Sequence, residues 1–155
     1  MSLSLRNLTR KLPLGAALSL DLLLLVCNSL NGHYNAPAGI LYTPIVVPLV
    51  VWLIAFSRNR NPILKAVLSG CLISLHDISI KLYGGGMHDP QGQGVVHLFL
   101  FIALLPSFLI LVAAVDQDGS TKPKVRRVAK LLFVVLVGIH LVVTSDLGAG
   151  QCINC

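Results

Sequence analysis

Residues 73–97 read ISLHDISIKLYGGGMHDPQGQGVVH, and long apolar runs flank them on both sides. The stretch holds three of the chain's five histidines, His76, His88 and His97, and two His-Asp pairs, His76-Asp77 and His88-Asp89. It also carries Lys81, Tyr83 and a run of three glycines. Apolar runs broken by a short polar, glycine-rich segment are the pattern of membrane helices joined by a loop.

The composition agrees. Only 12% of the 155 residues are charged and 55% are hydrophobic, with a mean hydropathy of +0.81. A soluble domain usually carries about 25% charge. This chain has too little polar surface to face water on all sides, so lipid is the expected solvent. The net charge of +6 sits in short basic clusters between apolar runs, which points to topology and not to nucleic acid. No stacking aromatics lie among the basic residues, and no phosphate loop follows a strand.

Five runs are long enough for spanning helices, at about 13–30, 38–56, 62–83, 95–115 and 128–147. The expected architecture is an all-α integral membrane protein, one transmembrane domain of five helices over 1–155. Arg6, Arg10 and Lys11 precede the first run as in a signal peptide, but that run contains Asp21 and is long enough to be retained as a span. Pro44 and Pro48 predict a bend in the second helix. The alternation of a β-barrel strand is absent.

Lysine and arginine placement predicts orientation. With the N-terminus in the cytoplasm and the C-terminus outside, the inner segments hold Arg6, Arg10, Lys11, Arg58, Arg60, Lys65, Lys122, Lys124, Arg126, Arg127 and Lys130. The outer segments hold Lys81 alone. This is the positive-inside pattern, and it suggests a bacterial inner (plasma) membrane. All five histidines then fall outside or in the outer half of the bilayer. His76 and His140 come to similar depths, roughly 21 and 18 Å above the inner ends of their helices at 1.5 Å per residue.

Ionisable groups in hydrocarbon are functional suspects by default. Imidazole and carboxylate are common zinc ligands. The expectation is therefore an outer-side metal site, with zinc as the divalent ion, and a metal-activated water as hydrolytic nucleophile if the chain is an enzyme. The candidate ligands are His76, His88, His97, His140 and Asp146. Asp77 and Asp89 are the candidate bases. Adjacent helical residues point about 100° apart, so His76 can face the bundle while Asp77 pairs with Lys81 at i+4. Haem held between two of the histidines is the alternative cofactor.

A different reading makes the chain a small transporter, a channel or a subunit of a larger membrane complex. Asp21 and the histidines then line an ion path. Asp21 shares a face with Asn28, seven residues on. The plainer expectation for Asp21 is a hydrogen bond to Ser69 or Ser74. Cys152 and Cys155 form a C-x-x-C pair at the outer end, with Cys27 near the same face and thiol electron transfer as its conceivable use. Cys71 is expected to be a small core residue. So small a bundle also invites self-association.

Overall fold

A computed structural model of the chain describes residues 12–83, 95–117, 119 and 121–147. Five α-helices make up the described residues: α1 (Leu14–Tyr34), α2 (Ala38–Ala55), α3 (Pro62–Leu82), α4 (Val96–Asp116) and α5 (Pro123–Val143). Helices α1 to α4 are long and apolar enough to cross a membrane. α5 is 21 residues long as well, but its first turns carry Lys124, Arg126, Arg127 and Lys130.

The helix ends follow from local chemistry. Asn61 caps α3, its side-chain oxygen accepting from the N–H of Ile63 (3.0 Å) and Leu64 (3.3 Å), and Pro62 fills the first position, where no N–H is needed. Pro123 does the same for α5. α1 extends one turn past the expected boundary: the helix continues through polar Asn31, His33 and Tyr34, which hydropathy does not register, and the Asn35 N–H closes it on Asn31 O. α5 begins five residues early for the opposite reason: its basic first turns are helical although they are not apolar.

Pro44, Pro48 and Pro106 lie inside α2 and α4, and both helices run through them. Each proline removes one i to i−4 hydrogen bond. Hydroxyls beside two of them back-bond to the preceding turn, Thr43 Oγ1 to Gly39 O (3.3 Å) and Ser107 Oγ to Ala103 O (2.7 Å).

α3 is central, touching all four other helices, and its closest partner is α5. α2 packs most heavily on α4. Gly70 permits the close approach of α3 and α5: a methyl group added there would stand 3.3 Å from Leu136 Cβ. One apolar core joins α2, α3, α4 and α5 through Val51, Ile73, Leu100, Leu111 and Phe133. A second joins α1, α2 and α3 through Ala17, Leu25, Val50, Leu53, Ile54 and Leu72. The outward faces are apolar too, with Leu23, Ile45, Leu105 and Leu131 all more than half exposed. Water would not tolerate that surface, and lipid would.

Candidate polar seam inside the bundle

Asp21 on α1 and the charged side chains of α3 turn inward. On α3, Lys65, Ser69, His76, Asp77 and Lys81 are all buried. Lys65, Ser69 and His76 share one stripe of the helix, and Asp77 and Lys81 form a second, roughly 100° further round. On α1 the buried stripe is Ala17, Asp21, Leu25, Asn28 and Gly32. α5 adds His140 and Thr144 from its C-terminal end.

His76 and Asp77 diverge as adjacent helical residues must. His76 faces α1, where its Nε2 lies 3.0 Å from Nδ2 of Asn28. The same Asn28 amide donates to Gly39 O at 3.0 Å, tying α1, α2 and α3 at one level. An amide nitrogen only donates, so His76 Nε2 accepts and the ring carries its hydrogen on Nδ1. That Nδ1 is buried and has no hydrogen-bond partner among the described residues.

Asp77 faces α5. Its Oδ2 accepts from Lys81 Nζ at 2.7 Å and from His140 Nε2 at 2.8 Å. Lys81 also donates to Thr144 O at 3.3 Å, placing a cation at the C-terminus of α5, where the helix dipole favours it. Thr144 Oγ1 donates to His140 O at 2.8 Å and approaches His140 Nε2 at 3.4 Å. The side chains of Asp77, Lys81 and His140 are at most 6% exposed, so this is a desolvated, mutually satisfied group.

The other sequence candidates are distributed differently. His97, in the first turn of α4, feels the charges of both Lys81 and Asp77, and its buried Nε2 has no hydrogen-bond partner among the described residues. Asp146 is exposed in the turn after α5. His33 closes α1, its Nδ1 donating to Tyr83 O at 3.2 Å. His88, Asp89, Cys152 and Cys155 lie outside the described residues. Among the described residues, no three His, Cys, Asp or Glu side chains are grouped so as to hold a metal ion. His76 and His140 share a level but turn to opposite neighbours, one to Asn28 and the other to Asp77.

Asp21 is fully buried at 0% exposure, facing protein as membrane energetics requires. The expected bond to a serine is not made. Ser74 Oγ donates to its own helix at Gly70 O, and neither Asp21 oxygen nor Ser69 Oγ has a hydrogen-bond partner among the described residues. Cys71, expected in the core, is exposed on the outward face of α3, as is Cys27 on α1. The inward stripe of α3 passes through residues 69, 73 and 76, and residue 71 lies off it.

Thr144 is the member of the seam that attention to histidine and aspartate passes over. Its signal was periodicity: it falls four residues from the buried His140. Comparison with protein families, with curated proteins and with solved structures finds no match for this chain.

Proposed function

We propose that the chain is a five-span membrane protein, N-terminus in the cytoplasm and C-terminus outside, that moves a small monovalent cation along the seam between α1, α3 and α5. The observation that carries this reading is the buried polar series on α3. From Lys65 to Lys81 it extends about 24 Å at 1.5 Å per residue, most of a hydrocarbon core of about 30 Å. Polar groups so placed are expensive in lipid and typically mark ion and proton paths. The series is strung along the axis and does not converge on one point, which suits conduction better than a single metal-centred reaction.

The fifth span is supported by the outward face of α5, where Leu131, Val134, Val135, Ile139, Val142 and Val143 are 44–75% exposed. These side chains require lipid around them. The basic first turns of α5 then sit at the cytoplasmic surface with Arg58 and Arg60.

Purified full-length protein in phospholipid vesicles, loaded in parallel with a pH-sensitive or a sodium-sensitive dye and with a potassium diffusion potential imposed, tests the function. Proton or sodium flux well above protein-free vesicles is expected, together with its loss in Asp21→Asn. Flux equal to that of protein-free vesicles, from protein shown to be folded, rejects the reading.

A further inference from the structure

Two hydrogen bonds fix how α1 and α3 lie against each other. α1 and α2 are joined by a short turn, as are α2 and α3, so α1 and α3 run parallel. Asn28 meets His76, a separation of 48 in sequence. At the other end the Arg58 N–H donates to Leu12 O at 2.9 Å, a separation of 46. Asp21 and Ser69 are also 48 apart, so they stand at one level, two turns nearer the α2–α3 turn than the Asn28–His76 pair.

Both are fully buried, and neither has a hydrogen-bond partner among the described residues. No ion pair among those residues reaches Asp21. Ala17 and Leu25, one turn to either side of it on the buried face of α1, belong to the apolar cluster with Val50, Ile54 and Leu72, which offers no counter-charge. Asn28 donates to Gly39 O, and the antiparallel register it sets places Val46 of α2 opposite Asp21. Val46 lies between Pro44 and Pro48, and Pro48 has no N–H for the Pro44 carbonyl. A carboxylate, a hydroxyl and a carbonyl lacking its helical donor thus share one level inside an apolar shell. Such hard oxygen donors suit a proton or a small alkali cation, and freed helix carbonyls beside membrane carboxylates serve this use in transporters.

We infer that Asp21 and Ser69 form a binding site for a small monovalent cation, a proton or a sodium ion, in the half of the bundle nearer the α2–α3 turn. This deepens the transport reading by naming where the ion is held. The two are separable, because binding at Asp21 can be measured without any flux.

A lipid-soluble carbodiimide provides the test. The acid O–H of a protonated carboxyl adds across one C=N bond of the reagent, and an oxygen-to-nitrogen acyl shift leaves a stable N-acylurea with nothing lost. Full-length protein in phospholipid vesicles is treated over a range of pH, with and without sodium, and the label is mapped by mass spectrometry. Infrared difference spectra of the same vesicles follow carboxyl protonation independently of reagent access.

Label on Asp21 that declines as pH rises is expected, with a carboxyl band that disappears in Asp21→Asn. Protection by sodium at fixed pH assigns a sodium site; labelling indifferent to sodium assigns a proton site. Ser69→Ala should move the half-labelling proton or sodium concentration by up to about tenfold, the upper size of one hydrogen bond. An Asp21 that stays unlabelled, with no infrared carboxyl change that depends on it, overturns the site even if flux is present. Labelling without flux upholds the site and rejects transport.

Discussion

His140 Nε2 lies 2.8 Å from Asp77 Oδ2, joining helices whose residues are 63 positions apart in the chain. The carboxylate oxygen that receives it also receives Lys81 Nζ at 2.7 Å. One oxygen thus neutralises a buried lysine and locks α5 onto α3. The two interactions are unequal: one is an ion pair made within α3, and the other is a hydrogen bond between helices.

That inequality gives the first prediction. Asp77→Ala leaves Lys81 buried without its anion and should destabilise the folded protein by about 3–5 kcal/mol. His140→Ala removes one interhelical hydrogen bond and should cost about 1 kcal/mol, as such bonds do in membranes. Replacing Asp77 and Lys81 together with alanine should recover much of the loss from Asp77→Ala alone. Thermal unfolding in mild detergent ranks the variants; equal losses for the first two would show that the ion pair does not dominate.

How far the sequence reveals this arrangement depends on the physics of each part. Hydropathy alone exposes the helices, because membrane insertion is decided by runs of apolar residues. It misplaces the polar helix ends at His33–Tyr34 and Pro123–Arg127, where helicity and hydrophobicity part company. The i to i+4 rule anticipates Asp77–Lys81, a purely local pair. Helix rotation it does not anticipate: nothing local says that His76 turns to Asn28 while Asp77 turns to His140. Depth matching brings His76 and His140 to one level, but level is not direction. Cys71 is a different case: Lys65, Ser69 and His76 mark the inward side of α3 in the sequence, and Cys71 lies off that stripe, so judging the thiol by its size alone misplaces it.

Gly70 provides a second prediction. A Cβ there would meet Leu136 Cβ at 3.3 Å and Leu136 Cδ1 at 3.4 Å. Gly70→Ala should therefore push α5 from α3 and destabilise the bundle by about 1 kcal/mol, at the low end for overpacking, since the side chain can partly yield. Leu136→Gly removes that Cβ, so the cost of Gly70→Ala should shrink in a Leu136→Gly background. An equal cost of Gly70→Ala in both backgrounds, in the same unfolding assay, would mean that the contact is not limiting.

Topology is a third. Reporter domains inserted after Gly119 should lie in the cytoplasm, and those fused after Cys155 should lie outside. The basis is the basic start of α5 and its lipid-requiring outward face. A C-terminal reporter on the cytoplasmic side would reduce the spans to four and leave α5 lying at the surface.

The last prediction concerns the break in the seam. On α3 the polar series pauses between Ser69 and His76, and on α1 between Asp21 and Asn28, each a gap of about 10 Å at 1.5 Å per residue. Leu25 and Leu72 fill it, both almost fully buried. Apolar constrictions of this kind gate conduction by excluding water. Leu72 lies three residues from Ser69 and four from His76, on the same face of the helix. A hydroxyl at that position would divide the gap into two steps of about 4.5 and 6 Å. Leu72→Ser should therefore raise vesicle flux several-fold over the unsubstituted chain. Val50→Ala, in the same apolar cluster but on α2, should lower stability without that rise. If Leu72→Ser and Val50→Ala change flux alike, Leu25 and Leu72 are core packing and the ion takes another route. If flux rises in Leu72→Ser alone, the two leucines separate the Asp21–Ser69 level from the His76 level, and the apolar layer between them sets the rate.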